Sequence, residues 1–205
     1  CAASECNNGI GRDDLTYMPS GGIANFDIGL VDTHFSERDR EGRLITLAVS
    51  QNLRLAVGVD ETSAVFYRRS GDWIDLSVVG ENGAFFVDGF NSMQTTAIEQ
   101  NQRSTQLAGF AHYLPNGVAA KVNLMTNEWE LVGELFMSKS NTKLPMLDDG
   151  VWRNSVRKYC GTEDPINWQL DEIDYLLAPS QETRFFMDND QRYCGYLFLP
   201  FVVRN

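Results

Sequence analysis

Histidine is scarce in this chain of 205 residues: only His34 and His112 occur. His34 stands in the run Asp32-Thr33-His34-Phe35, and a second acidic run, Asp60-Glu61, follows further along. An imidazole oriented by a carboxylate is the pair that accepts a proton from an attacking nucleophile as a general base. Arg38, Arg40 and Arg43 come directly after the histidine. Placed at a helix start, where backbone N–H groups and the helix dipole favour anions, they would form a corner receptive to a carboxylate. Arg40 and Arg43 are three apart and share a helix face. The competing reading pairs these arginines with Glu37, Asp39 and Glu41 on a solvated surface and makes His34 a structural strand-end residue. No G-x-S-x-G elbow stands in the chain, so no complete triad can be read from spacing alone. His112 sits inside the apolar run FAHYL and reads as a packed histidine.

Such groups must be held by regular elements. Residues 1–25 are rich in Gly, Asn, Ser and Asp and read as loop. The run 26–31 (FDIGLV) reads as a strand, and 36–52 (SERDREGRLITLAVSQN) as a helix opened by Ser36 with Asp39 in a capping-box-like position. The run 53–59 (LRLAVGV) reads as a second strand. Strand, helix and strand in so short a span predict a βαβ unit with parallel pairing, which sets the ends of both strands, and so both polar runs, at one rim of a sheet. Beyond it the pattern predicts a hairpin through Ser70-Gly71-Asp72 and further strands at 84–87, 107–114, 118–125 and 129–132. Residues 135–205 show little clean periodicity and read as an extension packed on the same domain. Its last strand candidate, YLFLPFVV, is interrupted by Pro200.

Composition bounds the answer. The net charge is −11 and 43% of the residues are hydrophobic, which fits a globular chain with a sizeable core and argues against nucleic acid as the partner. No apolar run reaches the roughly 18 residues that a membrane-spanning helix requires. Four cysteines occur, Cys1, Cys6, Cys160 and Cys194, with no CxxC pair, so a metal site is not expected. Cys160 and Cys194, both beside tyrosines, read as a disulfide of a secreted or periplasmic protein, the competing reading being two buried thiols. The acidic turns at Asp148-Asp149-Gly150 and Asp188-Asn189-Asp190 lack the full calcium-loop pattern and read as surface turns. Three readings stand open for the leading Cys1: the lipidated cysteine of a lipoprotein, an arbitrary chain edge, or a new terminus made by cleaving a precursor.

The stretch from Asp32 to Ala64 resembles the cyanophycinases and their relatives, serine peptidases related to dipeptidase E. It carries Asp32-Thr33-His34-Phe35, Arg38-Asp39-Arg40-Glu41-Gly42-Arg43, Gln51-Asn52 and Gly58-Val59-Asp60-Glu61-Thr62-Ser63-Ala64. VVGENGAFFVDG and AHYLPNGVAAKVNLMTNEWEL look like the β-rich tail of the family, so the resemblance covers about residues 26–132. It implies an α/β fold with a three-layer, doubly wound, mostly parallel sheet of the class I glutamine amidotransferase type. Residues 1–134 would form the C-terminal part of that domain. It also implies His34 as general base, Glu61 as its orienting acid, and Asp32, Thr33, Arg38, Arg40 and Arg43 as substrate-contacting residues. The family hydrolyses β-Asp-Arg isopeptide polymer or dipeptides with an N-terminal Asp. Thr33 stands where the family has Gln, and Asp39 and Glu41 add negative charge among the arginines.

By the same resemblance the nucleophile falls at or just before Cys1. Either Cys1 fills that position, as in hydrolases with an N-terminal nucleophile, or a serine on an N-terminal companion chain of the same precursor does. The expectation is a peptidase-like hydrolase acting without a cofactor on a peptide or amide bearing a carboxylate, with a homodimer left open. The alternatives are a degenerate relative that binds acidic ligands, and a maturation product whose only cleavage is its own.

Overall fold

The computed structural model describes residues 26, 28–89, 106–133, 136–137, 144, 146–147, 149–170, 173–188 and 193–204. β1 (Leu30–Thr33), α1 (Glu41–Ser50) and β2 (Ala56–Val59) form the βαβ unit, with β1 parallel to β2 and Asp32 and Thr33 opposite Gly58 and Val59. The strand ends therefore lie side by side, as the pattern predicts. β3 (Ser63–Ser70) and β4 (Trp73–Gly80) form the hairpin, closed by Gly71 and Asp72 with Gly71 at φ +64°. β5 (Gly83–Asp88), β6 (Gln106–Pro115), β7 (Ala119–Asn123), β8 (Trp129–Val132) and β9 (Phe136–Met137) follow. The extension adds α2 (Val151–Lys158), β10 (Ile166–Leu170), β11 (Ile173–Leu177), β12 (Arg184–Met187) and β13 (Cys194–Arg204).

Two sheets result. The large one has the order β1-β2-β5-β6-β13-β11-β10, with β12 on β13 and β9 on β12; the small one is β3-β4-β7-β8. The inward-facing residues divide by strand alternation. On one face of the large sheet Phe85, Val87, Ala111 and Tyr113 pack under Leu44, Ile45 and Ala48 of α1 and Trp152 and Val156 of α2. On the other, Val57, Ala84, Phe86 and Leu114 meet Ile74, Leu76, Val78, Val122 and Trp129 of the small sheet. A strand buried on both faces must be apolar at consecutive positions, and AFFV of β5 is. Each such large side chain stabilises the fold by roughly 1.5–3 kcal/mol through burial.

The doubly wound, mostly parallel sheet expected above is represented among the described residues by a single parallel pair, β1–β2; every other described pairing is antiparallel. The physical reason lies in the connections: β3 to β4 and β7 to β8 are joined by short turns, which return the chain antiparallel, and among the described residues no helix other than α1 links two paired strands. The extension is built into the sheet. β13 inserts between β6 and β11, and Cys160 is disulfide-bonded to Cys194.

Pro200 does not interrupt β13. Its carbonyl accepts the Ala178 N–H at 3.0 Å, so the donor that proline lacks would have faced that same side, where β11 has already ended at Leu177. The expected helix from Ser36 also differs. Ser36–Arg38 make one 3₁₀ turn, Asp39 is left-handed at φ +46°, and α1 begins only at Glu41. Asp39 accepts the Val151 N–H of α2 at 2.6 Å, and Asp60, not a capping box, holds the Ser36 N–H at 3.0 Å. Side-chain acceptors from elsewhere in the fold thus replace the local helix start.

Candidate active site: an exposed histidine–glutamate pair at the rim of the large sheet

His34 is the first residue after β1 and Glu61 the second after β2, so parallel pairing with aligned ends brings them together. The His34 Nδ1 lies 2.7 Å from Glu61 Oε1, with the two side chains 52% and 44% exposed. Since an ionised carboxylate only accepts, Nδ1 carries the proton and donates it, which leaves Nε2 as the basic nitrogen. Among the described residues nothing hydrogen-bonds Nε2. His34 has φ +51°, an uncommon backbone state for a residue with a Cβ. Phe35 pins that conformation: its N–H bonds the Val59 carbonyl at 3.2 Å, and its ring lies across Gly58. A Cβ at Gly58 would collide with that ring, which is why the strand carries glycine there.

The arginine corner is internally paired. Arg40 Nη1 donates to Asp32 Oδ1 at 2.9 Å and to the Thr33 carbonyl at 2.7 Å, while Arg43 Nη2 lies 3.2 Å from Asp32 Oδ2. Asp32 is mostly buried, so two cations share one carboxylate and leave a net positive charge beside the pair. Thr33 is exposed, its N–H held by Asp32 Oδ1 at 2.9 Å. Arg38 closes the 3₁₀ turn and is exposed. The structure thus gathers Asp32, Thr33, His34, Arg40, Arg43 and Glu61 at one rim. Cys1 lies outside the described residues.

Of the acids that the competing reading assigned to a solvated face, Glu37 and Asp39 pair with α2 and Glu41 is buried. Glu37 accepts Arg153 Nη1 at 2.8 Å and, through its other oxygen, the Glu61 backbone N–H at 3.0 Å. Asp60 is fully buried and accepts Arg153 at 2.9 Å, the Tyr113 hydroxyl at 2.7 Å and the Ser36 N–H. Burial raises the Asp60 pKa above its ordinary 3.8, opposed by Arg153, and burial together with Asp60 keeps Tyr113 neutral and donating. Burial alone would lower the Arg153 pKa, but Asp60, Tyr113 and Glu37 more than reverse it, so the guanidinium stays charged. Glu41 is 2% exposed, and desolvation, with Asp39 adding to it, raises its pKa well above 4.5. Sequence reasoning did not reach Arg153. The available signal was a short helix, VWRNSVRK, with cations on its buried side in a chain poor in them.

Among the described residues no three His, Cys, Asp or Glu side chains converge as a metal-binding group. A cavity of about 410 Å³ lined by Asn167, Trp168, Asp174 and Arg204 lies at the β10–β11 end of the sheet, away from the pair.

Over 59 residues the chain is 39% identical to the cyanophycinases of Trichormus variabilis and of a Nostoc species, a match that takes in 29% of this chain and 19% of theirs. The chain thus matches about a fifth of the length of those relatives, a partial similarity. No protein-family model matches the chain, and no solved structure matches it significantly.

Proposed function

We propose that this protein is a peptidase-like hydrolase in which His34 is the general base and Glu61 fixes its tautomer. The partial similarity to cyanophycinases supports hydrolysis as the class of reaction. The observation that carries the reading is the 2.7 Å His34–Glu61 contact, made by two partly exposed side chains with no hydrogen bond to Nε2 among the described residues. There the imidazole accepts the proton of an attacking hydroxyl or thiol and returns it to the leaving amine. The excess positive charge of Arg40 and Arg43 over Asp32 supports a substrate carboxylate beside it, as in Asp-containing peptides or amides.

The outer edge of β1 pairs with no described strand. A segment of the same precursor laid there would extend the parallel part of the sheet and bring a nucleophile to the rim. Cys1, or a serine on that segment, is the group assigned to attack.

The test is hydrolysis of peptides with an Asp side-chain or N-terminal Asp linkage by the whole protein. His34→Ala lowers turnover by about 10²–10⁴-fold, and Glu61→Gln, which keeps the shape but not the charge, also lowers it. Cys1→Ala separates the two nucleophiles, since loss of turnover assigns Cys1 and retention assigns a serine. Full activity in His34→Ala would sink the reading, and tight binding of the same peptides without hydrolysis would make the protein a binder of acidic ligands.

A further inference from the structure

The peptide unit around Glu61 is gripped on both sides, and both grips end in the C-terminal extension. Its N–H donates to Glu37 Oε2 at 3.0 Å, and the other oxygen of Glu37 accepts Arg153 Nη1 at 2.8 Å. Its carbonyl accepts Asn82 Nδ2 at 3.0 Å, and Asn82 Oδ1 in turn accepts the Tyr193 hydroxyl at 2.7 Å. Arg153 Nη1 also donates to Asp60, whose other oxygen holds the Ser36 N–H. One guanidinium, only 4% exposed, therefore ties the turn that follows β1 and His34 to the turn that carries Glu61. The two grips are themselves joined: Tyr193 precedes Cys194, which is bonded to Cys160 just beyond the helix that carries Arg153. The Arg157 guanidinium lies 4.8 Å over the Tyr193 ring.

A buried ion cluster of this kind adds little net stability over an apolar replacement, because desolvation offsets most of the Coulomb attraction. What it supplies is register. We propose that Arg153 and Tyr193 are positioning residues that set the Glu61 carboxylate against His34, so that the C-terminal extension completes the site from outside the βαβ unit. The inference rests on the reading of His34 and Glu61 as the base and its orienting acid. Neither residue touches the imidazole; each acts through the backbone of Glu61, and a displacement of about 1 Å there lowers turnover by as much as about 10²-fold.

The experiment uses the whole protein with Tyr193→Phe, which removes one oxygen, and Arg153→Lys, which keeps the charge but not the fork. Arg153→Met is added as the severe variant; should it fail to fold, the first two decide. Two readouts are taken: kcat and KM on an N-terminal Asp peptide, and the ¹⁵N shifts of the His34 ring with the imidazole neutral. We expect kcat to fall about tenfold in Tyr193→Phe and up to about 10²-fold in Arg153→Lys with KM little changed. We also expect the ring to pass from the Nδ1–H tautomer to a mixture of both. Folded variants with the wild-type ring signal overturn the proposal. A changed ring signal in a protein that hydrolyses nothing upholds the positioning and removes the proposed function instead.

Discussion

His34 and His112 each face a carboxylate, at 2.7 Å from Glu61 and 3.2 Å from Asp88, yet the two pairs are built for different ends. His112 and Asp88 are 0% and 2% exposed, and both ring nitrogens of His112 are used. Nε2 meets Asp88 and Nδ1 accepts the Phe198 N–H at 3.1 Å. That N–H is free because β13 bulges between Tyr196 and Leu199, with Phe198 at φ +52°, so two residues oppose His112. Asp88 also accepts Trp129 Nε1 at 2.7 Å, and the Trp129 ring stacks on His112 at 4.2 Å. The imidazole there pays a backbone debt inside the core. His34 has Nδ1 engaged and, among the described residues, no hydrogen bond at Nε2. A histidine–acid pair is suited to proton transfer when one nitrogen is left over, and the environment decides that rather than the pair.

The difference can be broken open by substitution. The largest expected effect is on turnover: His34→Ala lowers hydrolysis by about 10²–10⁴-fold while urea titration shows a stability change within about 0.5 kcal/mol. His112→Ala reverses the pattern. It leaves a cavity and an unpaired Phe198 N–H, so unfolding free energy falls by about 3–5 kcal/mol, while turnover per folded molecule is retained. Next in size is the Cys160→Ser/Cys194→Ser double variant, expected to lose about 2–4 kcal/mol in denaturant unfolding. It should also lose part of its kcat, through Tyr193, which would extend the dependence of the exposed pair to the extension.

Glu41 sharpens the comparison from the acid side, and its effect is the smallest. Its carboxyl is buried with Oε1 unpartnered, and burial raises its pKa well above 4.5. The folded protein therefore holds a proton that the unfolded chain releases from about pH 4.5 upward. Stability from this group is present at low pH and is lost as pH rises from 4.5 through the raised native value. Glu41→Gln should remove that slope, so that melting temperature against pH flattens above 4.5; an unchanged curve would mean that Glu41 is ionised in its site.

Much of the candidate site was legible because it is local. His34 and Glu61 belong to one βαβ unit, and the parallel register of that unit follows from strand, helix and strand in succession. The arginines were legible as a cluster but not in their partners. Asp32, placed by the pleat on the side of Arg40 and Arg43, takes both, while Glu37, Asp39 and Glu41 turn to α2, to Asp60's network or into the core. Spacing along a helix could not show this, because the helix breaks at Asp39 for the sake of a contact with Val151 far along the chain.

Sequence alone determined the elements whose period and turns are written locally: the βαβ unit, the Gly71 hairpin, the apolar strand β5, and the side-by-side polar ends of β1 and β2. Only the tertiary structure decided that β13 runs through Pro200 between β6 and β11, that the described sheet is mostly antiparallel, and that Arg153 and Tyr193 reach Glu61. Side-chain period tells a strand which face to bury, but not which distant strand it pairs with. That choice is made by backbone hydrogen bonds and core packing between segments that carry no local trace of one another.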